Sequence, residues 1–219
     1  MKYCTKCILP DTRPGLTFNP SGVCSGCVGH QRKEQEIDWA KRARTFENLV
    51  ASTISQNRPY DCIVPVSGGK DSWYQVIKAK SYGLNVLAVT WKTHGRTKIG
   101  RKNLETLIEK LNVDHIEYTI SPDAERKFTR VAFEKTGVSG LPMHMAIFTI
   151  PLRLAAQMRI PLVIWGENPQ LEYGGNEAEQ MKTTLDQEWL SKHGCMLETS
   201  AESWIGEEGL TYHDLAGYR

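Results

Sequence analysis

Ser67-Gly68-Gly69-Lys70-Asp71-Ser72 decides the fold, because it lies between an apolar run, Cys62-Ile63-Val64-Pro65-Val66, and a segment with a helical pattern. Two adjacent glycines let the backbone turn sharply and bring its N–H groups close to an anion. The N-terminus of the following helix adds partial positive charge, and Lys70 adds a full one. Ser67 and Ser72 add hydroxyl donors. We therefore predict a strand–loop–helix corner that binds phosphate, with an ordinary turn as the alternative.

This loop differs from the Walker pattern, in which a longer gap separates the first glycine from Gly-Lys. The adjacent Gly68 and Gly69, and the Asp71 that follows Lys70, resemble the PP-loop of ATP pyrophosphatases. Those enzymes cut ATP between its α- and β-phosphates. The resemblance implies adenylation of a substrate oxygen, with AMP and pyrophosphate released.

Composition limits the other classes of protein that the chain can represent. Its 219 residues can bury one main core and leave room for a small accessory module. The net charge of +2 gives no strong reason to expect nucleic acid or a membrane surface as a partner. No apolar run reaches the ~20 residues of a membrane span, and the N-terminus lacks an apolar signal core. We therefore expect a cytoplasmic protein.

Four of the six cysteines form two C-x2-C pairs separated by sixteen residues, which is a spacing typical of a structural zinc site. With four thiolate ligands the ion has no open position, so we expect zinc to fold this module and not to perform chemistry. His30 is a candidate substitute ligand, although a solvated histidine at a helix start is the simpler interpretation. Cys62 is expected to be a small buried group, and Cys195 is the one thiol that raises a catalytic question. The four predicted ligands are Cys4, Cys7, Cys24 and Cys27.

The order of patterns along the chain predicts an N-terminal zinc-binding module over residues 1–30, a connecting helix over 31–58 and a PP-loop domain over 59–219. In the PP-loop domain, strands and helices alternate as in βαβ units. This pattern indicates an α/β, Rossmann-like parallel sheet with helices on both faces. Such a sheet is similar to that of the adenine nucleotide alpha hydrolases. Predicted strands cover residues 62–66, 85–91, 115–120 and 162–165. Predicted helices cover residues 71–82, 100–112, 143–158 with a kink at Pro151, and a segment that starts at Pro122 and ends at Gly137.

Ligands of an open parallel sheet bind at the carboxyl ends of its strands, where the winding direction reverses. Thr90 and Trp91 end the second strand, so we predict that both contact ATP, although an aromatic residue there is also typical of core packing. Gly166 and Glu167 end the fourth strand. Glu167 is a candidate ligand for magnesium or substrate, with helix capping as the alternative. The glycine pair in 173–176 is interpreted as a plain turn or as a loop that closes over substrate.

Several segments together resemble the N-acetyl sugar amidotransferase family of PP-loop enzymes, and they follow that family's order over nearly the whole chain. The segments are 4–15, the second cysteine pair, 67–72, 165–169 and 172–175. The resemblance implies that an acetamido group on a nucleotide-activated sugar becomes an acetamidino group, with ammonia delivered by a glutaminase subunit. It places the enzyme in bacterial surface-glycan biosynthesis, including lipopolysaccharide, pseudaminic acid and legionaminic acid pathways. Family members are usually longer, so this chain is either a truncated piece or a short member.

The resemblance also implies roles for individual residues. Lys70 and the loop amides hold the phosphates of ATP, and Mg2+ bridges those phosphates with Asp71 or Glu167 as its protein contact. Lys70, Asp71 and Glu167 are therefore the predicted catalytic residues. Ammonia is nucleophilic enough without a covalent enzyme intermediate, so no catalytic cysteine is expected.

Two other functions fit parts of the pattern. A tRNA-thiolating enzyme also joins a cysteine module to a PP-loop, but it needs a sulfur-carrying thiol and a basic surface for tRNA. Cys195 alone and a net charge of +2 support neither requirement well. A non-catalytic zinc adaptor would leave the 67–72 loop without a purpose.

Overall fold

The computed structural model describes residues 1–12, 15–35, 37–166, 190 and 196–219. These residues contain a four-stranded parallel sheet. These residues divide into two compact units, residues 1–46 and residues 47–166 with 196–219. We call them the cysteine unit and the sheet unit. None of the helices in these residues is long and apolar enough to cross a membrane.

The elements are numbered in chain order. Helices α1 and α2 are Ser25–Gln35 and Trp39–Ile54, and the sheet unit continues with β1 Cys62–Pro65, α3 Lys70–Ser81, β2 Val86–Trp91, α4 Lys98–Leu111, β3 Asp114–Tyr118, α5 Pro122–Thr136, α6 Leu141–Met158 and β4 Leu162–Val163. Three short 3-10 helices follow, at Ala201–Trp204, Glu207–Gly209 and Ala216–Tyr218.

The strand order is β3-β2-β1-β4, and every pairing is parallel. Cys62 in β1 is opposite Val86 on one side and Leu162 on the other. The chain therefore runs outward from β1 through β2 to β3, and then returns to the other side of β1 for β4. The winding direction reverses between β1 and β4, at the point where the glycine loop follows β1. The predicted α/β class with a parallel sheet is confirmed.

Both faces of the sheet are covered, because successive strand residues point to opposite sides and both sets are buried. Ile63, Leu87 and Val89 join one core cluster with residues of α5 and α6. Their neighbours Val64 and Ala88 are equally buried and point to the other face, where α3 packs on β1 and β2. Helices therefore lie on both sides of the strands, as the alternation of patterns predicts.

Local signals explain where several helices begin and end. The Thr97 side chain accepts a hydrogen bond from the Gly100 amide at 3.0 Å and caps α4. Pro122 occupies the start of α5, and Gly137 ends it with a φ of +73°. Both α5 boundaries agree with the prediction, and Pro151 lies inside α6 as expected.

The structure corrects two predictions about elements. The segment predicted as one helix over 31–58 contains two helices, because Asp38 begins a new one by accepting a hydrogen bond from the Lys41 amide at 2.8 Å. The first of them starts at Ser25, so the second cysteine pair lies at its start. Strand β4 is two residues long and half-buried, because within the described residues it pairs with β1 alone.

Phe128 is the largest fully buried side chain of the α5 and α6 core, and its ring contacts those of Trp204 and Tyr218 at centroid distances of 5.5 and 5.0 Å. We predict that Phe128→Ala lowers the free energy of unfolding by about 3–5 kcal/mol, through lost burial and the cavity left behind. Phe133→Ala in the same helix is the matched control, since that ring is 56% exposed, and it should change stability by about 0.5 kcal/mol or less. Urea unfolding measures both, and equal losses would contradict this core.

Candidate functional site

The glycine loop joins the end of β1 to the start of α3, at the place where the sheet reverses direction. Gly68 has a φ of +88°, in the left-handed region that favours glycine. A Cβ atom on Gly68 would lie 2.8 Å from the backbone nitrogen of Leu104 in α4, closer than real contacts allow. Two independent constraints therefore require glycine here. The second one was not visible in the sequence, because Leu104 is remote along the chain.

Ser67 and Ser72 form hydrogen bonds within the loop that stabilise its conformation. The Ser67 amide donates to the Ser72 hydroxyl at 2.9 Å, and the two hydroxyl oxygens are 3.3 Å apart. The Gly69 amide points to the Ser67 hydroxyl oxygen at 3.4 Å. Ser72 is buried, and its hydroxyl joins the two ends of the loop through the bond from the Ser67 amide. The predicted contact of these hydroxyls with phosphate stays a prediction.

The start of α3 is open to an anion. Gly69 precedes the helix in an extended conformation, and no side chain caps the helix there. The first N–H groups of a helix lack intrahelical partners and carry partial positive charge, so they suit a phosphate group. Phosphate binding by this loop stays a prediction.

Lys70 and Asp71 lie at the surface of this corner and pair with each other. The Lys70 ammonium is 2.8 and 2.9 Å from the two Asp71 carboxylate oxygens, and the side chains are 89% and 61% exposed. An exposed pair of this kind contributes little to stability in water. A triphosphate and a divalent cation can therefore compete for the ammonium and the carboxylate.

Thr90 and Trp91, which the sequence suggested as ATP contacts, point to opposite faces of the sheet. The Thr90 hydroxyl is buried, donates to the Val66 carbonyl at 2.7 Å and lies 3.0 Å from Nε2 of His115. It therefore ties β2 to β1 immediately before the loop. Trp91 is half-buried and packs against the α5 and α6 core. Their contact with ATP stays a prediction.

His115 is a residue of this site that sequence reasoning did not single out. Since the Thr90 hydroxyl uses its proton on Val66, we infer that Nε2 of His115 donates to the Thr90 oxygen. Burial lowers the pKa of His115, Glu117 opposes that effect, and Arg96 adds to it. A neutral imidazole protonated on Nε2 satisfies this arrangement. A lone histidine in a strand gave no signal from which the contact could be predicted.

Gly166 follows β4 and passes close to α3. A Cβ atom on Gly166 would overlap the side-chain amide of Gln75, which shows that the chain leaving β4 lies against the helix that begins at the loop. The carboxyl ends of β1 and β4, between which the winding direction reverses, therefore lie beside each other, as the rule for parallel sheets requires. The other predicted residues of this edge, Glu167, Asn168 and the 173–176 segment, lie outside the described residues, and so does Cys195.

The four predicted zinc ligands lie together in the cysteine unit. Their sulfur atoms are all within 4.8 Å of one another, with 3.9 Å between Cys4 and Cys27 and 3.6 Å between Cys7 and Cys24. Tetrahedral zinc with Zn–S bonds of ~2.3 Å requires sulfur–sulfur distances of ~3.8 Å. The cluster therefore fits zinc. His30 is exposed and does not belong to the cluster found in the described residues, as the simpler interpretation expects, but it lies inside α1 and not at a helix start.

Backbone amides surround the sulfur atoms of this cluster. The amides of Lys6, Cys7 and Cys24 point to the Cys4 sulfur at 3.2 to 3.4 Å. Burial raises the pKa of Cys4, but these hydrogen bonds outweigh it, and the pKa falls to about 6. Burial and the neighbouring thiols raise the pKa of Cys27 to about 12. A divalent cation would relieve the repulsion among four thiolates and hold all of them ionised.

Cys62 is separate from this cluster. It is fully buried in β1, and burial, followed by the charge of Asp61, raises its pKa to about 12. A thiol in such surroundings is chemically inert. The expectation of a small buried group is confirmed.

Solved structures that are similar to this chain include two synthetases. An NMN synthetase from Francisella tularensis is 19% identical over 84% of this chain and 83% of its own, with a TM-score of 0.47. An NH3-dependent NAD synthetase from Campylobacter jejuni is 15% identical over 80% of this chain and 77% of its own, with a TM-score of 0.46. No protein-family model and no curated protein matches the chain. At these values neither likeness assigns a family or an activity.

We predict one zinc ion per chain, held by the four cysteines and measurable by elemental analysis. Cys24→Ser should lose that zinc, because a hydroxyl is a poor ligand for it where a buried thiolate stood. Cys62→Ala is the matched control: it removes a buried cysteine outside the cluster and should keep the metal. Purified protein without stoichiometric zinc, or Cys24→Ser with as much zinc as the parent, would refute the assignment.

We predict that Gly68→Ala is strongly destabilising, while Gly69→Ala is tolerated. The first substitution adds left-handed strain of about 1–3 kcal/mol and a collision with the α4 backbone. The second places a Cβ at an allowed φ of −75°, 3.4 Å from the Ser67 hydroxyl. Thermal unfolding of the two variants is the test, and equal melting temperatures would show that α4 does not constrain the loop.

Proposed function

We propose that the chain is a cytoplasmic, ATP-dependent amidotransferase of the PP-loop type. In this proposal it adenylates the acetamido oxygen of a nucleotide-activated N-acetyl sugar and replaces that oxygen with ammonia. The observation that supports it most is the start of α3, which no side chain caps. This helix start follows the glycine loop at the point where the winding direction of the sheet reverses, and Lys70 and Asp71 are exposed beside it. The resemblance of the sequence segments supplies the substrate class.

The reaction explains why such a loop is needed. An amide carbon is a poor electrophile and its oxygen is a poor leaving group, so direct attack by ammonia is slow. When the amide oxygen attacks the α-phosphorus of ATP, pyrophosphate leaves and an adenylated imidate forms. Ammonia then adds to the imidate carbon, and AMP departs with the original oxygen. The balanced result is amide, ATP and ammonia converted to amidine, AMP and pyrophosphate.

In the proposed reaction the glycine loop and α3 would bind ATP, and the cysteine unit would have a structural role. Lys70 and the first amides of α3 would hold the β- and γ-phosphates and stabilise the negative charge that grows on departing pyrophosphate. Asp71 would hold Mg2+, with Glu167 as the alternative ligand that the sequence predicts, and the cation would offset the charge of the phosphates. Zinc would fold the cysteine unit and take no part in the reaction, because four cysteines fill its coordination sphere.

The source of ammonia and the pathway are also part of the proposal. The sequence resemblance supports a glutaminase subunit as the ammonia donor and bacterial surface glycans, such as lipopolysaccharide or flagellin glycans, as the destination of the sugar. Cys62 gives no support to a covalent role for a thiol, since it is buried and its pKa is raised to about 12.

The test incubates the protein with ATP, magnesium, ammonium and a panel of nucleotide sugars that carry acetamido groups. Mass spectrometry should find a lighter, basic product in which NH replaces O, and chromatography should find AMP and pyrophosphate in equal amounts. Leaving out ammonium should abolish the product. Release of ADP and phosphate would refute adenylation. Sulfur incorporation into tRNA without an amidine product, lost in Cys195→Ala, would favour the thiolation alternative.

We predict that Lys70→Ala slows AMP formation by ~10²-fold, which is the usual effect of removing one charged contact to a developing anion. Lys78→Ala is the matched control, because Lys78 is an exposed lysine in the last turn of the same helix. It should retain the parent rate. Steady-state AMP release measures both variants, and equal rates would exclude Lys70 from the phosphate site.

A further inference from the structure

The peptide group between Val66 and Ser67 is held at both of its polar ends by side chains. Its carbonyl, on Val66, accepts a hydrogen bond from the Thr90 hydroxyl at 2.7 Å. Its N–H, on Ser67, donates to the Ser72 hydroxyl at 2.9 Å. Val66, Thr90 and Ser72 are buried, and a buried peptide group that loses a partner destabilises the fold. The two bonds therefore fix the plane of this peptide.

The orientation of this peptide sets the path of the glycine loop. The Val66 amide donates to the Val89 carbonyl at 2.8 Å, so the chain follows the sheet up to this residue. Gly68, two residues later, has a φ of +88° and lies against the backbone of Leu104. Only two peptide groups connect the sheet to this constrained glycine. Rotation of the first one would displace the N–H groups of the loop.

A hydrogen bond from a third strand controls the direction of the Thr90 hydroxyl. A carbonyl oxygen can only accept, so Thr90 gives its one proton to Val66. Nε2 of His115 lies 3.0 Å from the Thr90 oxygen and is therefore the donor of that bond. The imidazole N–H occupies the acceptor side of the hydroxyl and keeps its proton on the carbonyl. Two hydrogen bonds in series thus connect β3, through β2, to the residue that precedes the loop.

The register of the sheet explains how these side chains meet. His115 is opposite Ala88, and Thr90 is opposite Glu117. His115 and Thr90 are therefore diagonal neighbours on one face of the sheet. A long side chain reaches a diagonal neighbour, and imidazole does so with its outer nitrogen, Nε2.

Packing alone does not account for a histidine at this position. His115 is half-buried, and with Leu104 and Ile108 of α4 it lines a cavity of about 310 Å³. A side chain at the wall of a cavity makes fewer contacts than one enclosed on all sides. Burial lowers the pKa of His115, so the ring is neutral near pH 7 and carries a single proton. The imidazole N–H is the property that this position uses.

We propose that His115 is a positioning residue of the nucleotide site, which acts through Thr90 to hold the Val66–Ser67 peptide in the orientation that binds phosphate. This inference rests on the proposed function, since the affinity for ATP reports it. His115 acts across β2 and does not itself touch the nucleotide. Loss of its N–H leaves the Thr90 hydroxyl free to rotate, and binding then has to order the loop. ATP affinity should fall more than the rate of bound ATP.

The first measurement is made on the full parent chain, and His115→Gln serves only to assign resonances. Long-range 1H–15N NMR spectra distinguish the two neutral tautomers of a histidine. We expect the proton of His115 on Nε2 near pH 7. A ring protonated on Nδ1 would overturn the proposal, because Nε2 would then compete with Val66 for the Thr90 proton.

The second measurement is a calorimetric titration with ATP and magnesium in the absence of sugar. His115→Leu, which removes the N–H, should weaken ATP binding by about 2- to 10-fold, the scale of one lost hydrogen bond. His115→Gln, whose side-chain amide also offers an N–H, should restore part of the affinity. Glu109→Gln is the matched control, because Glu109 lines the same cavity from α4, and it should bind ATP as the parent does.

A double substitution separates positioning from general damage to the fold. Thr90→Val removes the hydroxyl that His115 directs, so His115→Leu should cost no further affinity in that background. A further loss as large as in the parent, or parental affinity in His115→Leu alone, would overturn the proposal. Steady-state kinetics should show a raised KM for ATP at a nearly unchanged kcat. Parent protein that binds no ATP would overturn the proposed function instead, and the tautomer would still decide whether His115 fixes the peptide.

Discussion

The backbone of Gly68 packs against the backbone of Leu104, and the candidate nucleotide site depends on that contact. No side chain fits between the loop and α4, so the position of the helix fixes the path of the loop. The Thr90 hydroxyl adds a second constraint, since it joins β2 to the carbonyl of Val66 just before the loop. The bond from the Ser67 amide to Ser72 adds the third. Together they hold the open start of α3 in one orientation, which is what pre-organised binding of a phosphate requires.

The parts of this arrangement that local patterns encode could be predicted from the sequence. The glycine loop, the βαβ alternation, the α5 boundaries at Pro122 and Gly137, and the cysteine pairs all depend on residues that are near one another in the chain. Alternation along β2 could also have separated Thr90 from Trp91, because neighbouring strand residues point to opposite faces. The sequence interpretation instead assigned both to one ligand.

The remaining features arise from contacts between distant segments, which a single sequence does not reveal. The approach of Leu104 to Gly68 and the bond of His115 to Thr90 are of this kind. The break between α1 and α2 was missed for a different reason: the capping strength of Asp38 competes with a helical pattern that continues on both sides of it. The apolar run over 162–165 predicted a longer strand, whereas β4 covers Leu162–Val163 and is half-buried, because within the described residues it pairs with β1 alone.

Transfer of the amide oxygen to AMP is the central claim, and isotope tracing tests it most directly. The acetamido carbonyl of the substrate is labelled with a heavy oxygen isotope, and the products of one turnover are separated and weighed by mass spectrometry. The account predicts that the label appears in the phosphate group of AMP and is absent from pyrophosphate. Label that remains in the sugar product, or that appears in inorganic phosphate, would contradict it.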